Sequence, residues 1–296
     1  MDHTKKKIAT AFALLAAALY AINIPLSKLL LEHVDTTMMA SFLYLGAGLG
    51  LLIYGLGKKA LGKGEQQERL TKKELPYTIG MVVLDILAPI FLMIGIAGTS
   101  SANASLLNNF EIVATSLIAL FLFKEKISKL LWAAIALVVA ASVILSFEGS
   151  GAFVFNAGSL FVLAAALCWG MENNCTNKIS NKSAVEIVAI KGCFSGLGSL
   201  IVALILGEEL PALKWMMPVL LLGFVAYGLS INFYIRAQSS LGAAKTSAFY
   251  SIAPFLGVAF SMLLLGERPG LQFYVGLLIM AVSTVLMVKD TLQEEA

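Results

Sequence analysis

A chain of 296 residues that is 59% hydrophobic and only 13% charged, with a mean hydropathy of +0.87, is far too apolar to be a soluble globular domain. Its formal net charge of +3 is shared among many short segments rather than gathered on one face, which excludes a nucleic-acid-binding surface. The lipid bilayer is therefore the first partner to consider.

Ten apolar windows, in chain order, reach the roughly 20 residues that a helix needs to cross the hydrocarbon core. They cover residues 8–31, 38–57, 77–98, 102–123, 130–147, 157–177, 184–206, 215–237, 243–265 and 271–288. In lipid each must satisfy its own backbone, and runs such as Leu130 to Leu145 are apolar throughout rather than alternating with period two. An all-α integral membrane protein is expected, not a barrel. The first window is too long for a signal-peptide core and lacks a small-residue cleavage pattern, so it is expected to remain in the mature protein. It carries Tyr20, Asn23 and Ser27 on one face. The second window contains Gly46, Gly48 and Gly50, and the seventh contains Gly192, Gly196 and Gly198, all read as close helix-packing sites. The charged linker 58–74 has no periodic apolar face, which leaves no room for a separate soluble domain.

Four ionisable residues fall inside windows, where a charge costs several kcal/mol unless it meets a cavity or a partner. Asp85 lies in the third, with Pro89 four residues on, where the helix is expected to kink and free a carbonyl. Glu111, about 10 residues or roughly 15 Å into the fourth, stands near the middle of the core. Asn108 and Thr115 share its helix face and form one polar stripe with it, which suits Glu111 to carry a proton or meet a cation. The plainer alternative is a carboxylic acid hydrogen-bonded to a neighbouring helix. Glu172 in the sixth window and Lys191 in the seventh lie at similar depth, roughly 10 Å from the turn that joins them, and either neutralise one another or bind substrate. Around them, Trp169, Asn173 and Thr176 repeat the spacing of the first window, Tyr227, Ser230 and Tyr234 share a face of the eighth, and Tyr250 and Pro254 lie in the ninth. Aromatic faces of this kind attract ammonium groups, although most aromatics at helical spacing simply pack. Cys168, Cys175 and Cys193 are all intramembrane and odd in number, which suits small core residues better than disulfides or metal ligands; His3 and His33 lie at a tail and a short loop.

The Lys and Arg distribution sets an orientation. An even number of spans puts both termini on one side. That side collects Lys5, Lys6, Lys7, Lys58, Lys59, Lys63, Arg69, Lys72, Lys73, Lys124, Lys126, Lys129, Lys178, Lys182, Arg236, Lys245 and Lys289, whereas the other holds little beyond Lys28, Lys214 and Arg268. Both termini are expected in the cytoplasm, with Glu208 on the outer side.

The halves of the chain resemble each other. Residues 102–125 lie over residues 244–267 at an offset of 142, matching Glu125 with Glu267, Ile112 with Pro254 and Glu111 with Ala253. Residues 14–28 resemble residues 163–177 at an offset of 149, matching Tyr20 with Trp169 and Asn23 with Glu172. Residues 1–148 are thus read as one five-helix repeat and 149–296 as a second, which must enter the membrane inverted because five is odd. Inverted repeats that exchange conformations are the basis of alternating access.

The segments AAALYAINIPLSK and AAALCWGMENNCTNK that open each half, and the apolar helices running into KEKIS and GERPG, are similar to those of the drug/metabolite transporter superfamily in its EamA-like branch. That resemblance implies a ten-helix transporter with a central cavity lined by spans one to four and six to nine, spans five and ten being peripheral. It also implies metabolites such as amino acids, sugar derivatives or nucleobase compounds as cargo, often moved outward. The chain departs from the usual pattern at Glu111 and Ile112, where a proline would be typical.

Phosphate-loop, HExxH and GxSxG signatures are absent from the sequence, so no enzyme activity, cofactor or metal is expected and a gradient must supply the energy. The expectation is a secondary transporter in the cell membrane for an amino acid, an amine or a related metabolite. Candidate binding or proton-carrying residues are Glu111, Asp85, Glu172, Lys191, Asn108, Tyr20, Asn23, Trp169, Asn173, Tyr227 and Tyr250. Three acids against one lysine favour a cationic or zwitterionic ligand, or protons as the coupling ion. The alternatives are a broad-specificity quaternary-ammonium exporter and a non-transporting membrane sensor or interaction protein. Oligomeric state is not readable from the chain.

Overall fold

The computed structural model describes residues 3–61, 68–124, 127–148, 154–179, 182–241, 246 and 249–294. Lys63, Glu125, Lys126 and Lys245 of the expected loops, and with them the start of the ninth window, lie outside the described residues. Within those residues the chain runs α1 (His3–Ala21), α2 (Asn23–Leu30), α3 (Thr36–Ala60), a single 3-10 turn (Lys72–Glu74), α4 (Leu75–Gly98), α5 (Ser101–Leu107), α6 (Phe110–Phe123) and α7 (Lys129–Ser146). It continues through α8 (Ala157–Ile179), α9 (Ala184–Ile205), α10 (Leu213–Gly223), a π-helical segment (Phe224–Leu229), α11 (Ser230–Leu241), α12 (Ala253–Leu265) and α13 (Leu271–Glu294). A two-residue antiparallel bridge pairs Phe147 with Phe155 and Glu148 with Val154 at the junction of the halves.

Eight helical stretches of the described chain are long and apolar enough to cross a membrane. The other two windows read from the sequence differ. Helix α8 spans 23 residues, roughly 34 Å, but carries Glu172, Asn173, Asn174 and Lys178, which lower its hydropathy. In the ninth window the described apolar helix is the 13-residue α12.

Several windows expected as single helices are interrupted, each for a legible reason. Pro25 has no N–H to offer Ala21, and the first window breaks at Ile22. Pro254 likewise has none for Tyr250, so α12 begins only after a turn at Ser251 and Ile252. The fourth window breaks at Asn108–Asn109, where no proline is present. Asparagine is a weak helix former, and the two side chains at this break bond across to other helices, Asn108 Nδ2 to Tyr20 OH at 3.1 Å and Asn109 Nδ2 to Met280 Sδ at 3.8 Å. The polar stripe expected along one helix is corrected accordingly: Asn108 belongs to the turn, and only Glu111 and Thr115 share α6. Pro89, by contrast, sits inside an uninterrupted α4.

Glycines set the depth and closeness of the central packing. A Cβ on Gly192 would stand 2.3 Å from Gly48 N, and one on Gly223 would stand 1.9 Å from Leu43 O. Helix α3 is therefore clasped between α9 on one side and α10 with the π segment on the other. Gly170 brings α8 against Ala114 and Thr115 of α6, and Gly158 meets Gly98 at the end of α4. These contacts bury Asp85, Glu172 and Lys191 inside the bundle.

Candidate functional site

Three charged residues from three helices meet at the centre of the bundle. Lys191 Nζ lies 3.1 Å from Asp85 Oδ2 and 3.0 Å from Glu172 Oε2, and the three are 9%, 0% and 1% exposed. The expected Glu172–Lys191 pair is thus a triad, because α4 supplies a second carboxylate to the same ammonium. A charge this deep is stable only if its partners also satisfy its remaining hydrogen-bonding capacity. Asp85 Oδ1 accepts from Tyr44 OH at 2.8 Å and from Trp169 Nε1 at 3.2 Å, and Thr176 donates to Glu172 one turn away on α8. Hydrogen bonds thus reach Asp85 Oδ1 and Glu172 Oε1, while Asp85 Oδ2 and Glu172 Oε2 face the Lys191 ammonium.

Glu111 stands apart from this cluster and is only half-buried. Asn173 Nδ2, on the same helix as Glu172, donates to Glu111 Oε1 at 2.6 Å and reaches Thr115 Oγ1 at 3.3 Å. The close approach at Gly170 permits this bridge between α8 and α6. Glu111 also lies within electrostatic reach of Tyr20, Tyr227, Tyr250, Glu172 and Lys191.

Aromatic rings gather around it. Tyr20 packs edge-on against Tyr227 at 5.8 Å and tilted against Tyr250 at 5.8 Å, Tyr44 meets Tyr227 at 5.2 Å, and Tyr234 meets Tyr250 at 5.1 Å. Asn108 Nδ2 donates to Tyr20 OH at 3.1 Å, Asn23 Nδ2 donates to Tyr227 OH at 3.0 Å, and Ser27 donates to Asn23. The breaks at Ile22, at Asn108–Asn109 and before α12, with the π segment that carries Tyr227, bracket these rings.

All eleven residues singled out from the sequence fall into this connected region: Asp85, Glu172 and Lys191 in the buried triad with Trp169 bonded to it, Glu111 and Asn173 beside it, and Tyr20, Asn23, Asn108, Tyr227 and Tyr250 in the aromatic group. The shared face expected for Trp169, Asn173 and Thr176 divides its work among three different partners. Tyr44 was missed. Its one sequence signal was a hydroxyl two residues before the glycine run of α3, a position that reads equally well as packing.

A multi-pass helical membrane protein that encloses charged and aromatic side chains within its bundle has the build of a membrane transporter. The family comparison agrees. The chain belongs to the EamA-like transporter family, whose model matches residues 7–147 and 156–289, and so to the drug/metabolite transporter superfamily. It is 25% identical over 267 residues to an uncharacterized transporter of Methanothermobacter thermautotrophicus, covering 85% of this chain and 78% of that one. A solved crystal structure shares the fold with a TM-score of 0.70 at 16% identity, covering 97% of this chain and 98% of the other.

Proposed function

We propose that the protein is a secondary active transporter that moves a small polar metabolite, an amino acid, an amine or a related compound, by alternating access. Proton coupling or exchange drives it. It has ten spans in two inverted five-helix repeats, residues 1–148 and 149–296, and lies in the cell membrane with both termini cytoplasmic. It is not an enzyme.

The observation that carries the reading is the excess of carboxylate within the bundle, with Asp85 and Glu172 in unbroken helices and Glu111 beside the break at Asn108–Asn109. Asp85 and Glu172 share Lys191, while half-buried Glu111 has a neutral amide partner and tyrosine faces nearby. With all four ionised, the region favours a cation or a proton. Midplane sites at interrupted helices are the recurring design of secondary transporters.

The inverted repeat has support of its own. The break at Asn108–Asn109 and the turn at Ser251–Ile252 fall within one residue of the 142-position offset. Lys124, with φ 56°, and Gly266, with φ 64°, are related by the same offset and both turn the chain in the left-handed region. The packing is reciprocal too: α4 packs on α8 as α1 packs on α11, α3 packs on α9, and α7 packs on α13.

The test is flux. Purified protein in proteoliposomes with an imposed proton gradient should accumulate or exchange at least one member of a panel of amino acids and amines, first narrowed by thermal shift. A panel that stabilises the protein without any flux would overturn the reading in favour of a membrane sensor. Preference for permanently quaternary cations would favour the drug-exporter alternative.

A further inference from the structure

Two carboxylates from the second half of the chain grip two helix starts in the first half. Glu208 Oε1 accepts from Thr37 N at 3.1 Å and its Oε2 from Met38 N at 2.6 Å. Glu267 Oε1 accepts from Ser101 N at 2.8 Å and its Oε2 from Ala102 N at 2.8 Å. These N–H groups are among the first of α3 (Thr36–Ala60) and of the short α5 (Ser101–Leu107), and have no partner inside their own helix. A carboxylate there meets unpaired donors in charge-assisted bonds, and at the 25-residue α3 it also meets the positive end of the helix dipole.

Both contacts are built by the same sequence unit. Leu206-Gly207-Glu208 ends α9 and Leu265-Gly266-Glu267 ends α12, and in each the glycine is left-handed, with φ 78° and 64°. That turn ends the helix and redirects the next residue. In the first unit Gly207 N bonds Leu204 O and Glu208 N bonds Ala203 O, which fixes the carboxylate's point of departure. The following residues, Glu209 and Arg268, are exposed, whereas Glu208 and Glu267 are half-buried. At α3 the local cap is unused: Asp35 occupies the N-cap without a side-chain bond, so the distant Glu208 does that work. The contacts stand at one end of the bundle, where Lys28 Nζ also caps α4 through Thr99 O at 2.7 Å.

We propose that Glu208 and Glu267 form a paired latch that ties the two halves together at this end and must release for this end to open. The proposal rests on the alternating-access reading. Each glutamate holds an element of the opposite half through two charge-assisted bonds, so neither span start can move away without breaking both. The residues they hold, Thr37, Met38, Ser101 and Ala102, are not members of the aromatic group.

The test places nitroxide labels at Glu32 and Glu209, across the first latch, and at Ala97 and Arg268, across the second, in a background with Cys168, Cys175 and Cys193 replaced by alanine. Distances are read by pulsed electron resonance in nanodiscs. The unaltered latch should give predominantly short distances. In Glu208→Gln/Glu267→Gln the long-distance population should rise roughly ten-fold, since each charge at a helix start biases the closed state. If the double variant does not fold, Glu208→Asp and Glu267→Asp singly, which keep the charge but shorten the reach, should each lengthen the distance across their own latch and leave the other short. Unchanged distributions in the folded variants would overturn the proposal. These distances are measured without substrate, so a failure to detect flux would count against the transport reading and leave this result to be judged by itself.

Discussion

Replacing Lys191 with methionine removes the ammonium that Asp85 and Glu172 share while keeping an unbranched side chain of similar length. The ammonium lies 3.1 Å and 3.0 Å from the two carboxylates, and Lys191 is only 9% exposed, so solvent cannot take its place. Removing one member of a buried ion pair costs roughly 3–5 kcal/mol because the remaining charge is left uncompensated. Here two carboxylates are left, which puts the expected loss toward the upper part of that range. By the scaling for domains of 150–250 residues, this corresponds to a Tm lowered by roughly 10 °C in detergent or nanodiscs. Asp85→Asn or Glu172→Gln should each cost much less, since either leaves one carboxylate with one ammonium. The Lys191→Met loss should shrink when both are added, a coupling that a mutant cycle reads directly. Charge reversal at Glu172 and Lys191 together should rescue only in part, because Asp85 would then face the new carboxylate at 191. A Lys191→Met protein with unchanged Tm, or a cycle in which the losses simply add, would refute the triad as a coupled unit.

Glu111→Gln keeps size and the bond from Asn173 but removes the titratable charge; the protein should fold, insert and exchange substrate yet lose concentrative flux or its pH dependence, and a wild-type flux, affinity and pH profile would make Glu111 a structural group. Single cysteines at Lys63 and Glu208 in a cysteine-free background should be labelled by an impermeant maleimide from opposite faces of intact cells, and labelling of both from outside would refute the topology and the inverted repeat. Gly223→Ala places a methyl 1.9 Å from Leu43 O and should destabilise by about 1–3 kcal/mol through overpacking, whereas Gly57→Ala, with nothing within 4 Å, should be neutral or slightly stabilising. Equal thermal stability of the two glycine variants would argue against the close packing of α3 and α10.

The membrane class and the choice of charged residues were legible in the chain alone because both are local properties. Hydropathy over about twenty residues measures whether a helix can replace water with lipid, and a carboxylate or lysine inside such a window is costly wherever the helix sits, so Asp85, Glu111, Glu172 and Lys191 announce themselves by position. The 142-position offset is also a one-dimensional pattern, whereas the left-handed turns at Lys124 and Gly266, which it relates, show only in the backbone. Pairing does not survive in that way. Which carboxylates meet Lys191 depends on the rotation and depth of α4, α8 and α9 relative to one another, and these are set by contacts such as Gly48 on Gly192 and Gly170 on Ala114. Hydropathy scores those glycines simply as weakly apolar, and helical periodicity places Tyr44 on a face without saying what lies opposite. Only the tertiary structure decides that Asp85 joins the lysine, that Asn108–Asn109 break a helix where no proline stands, and that Glu208 and Glu267 reach helix starts in the other half, because each outcome requires groups distant in sequence to find one another's unsatisfied charge or hydrogen bond.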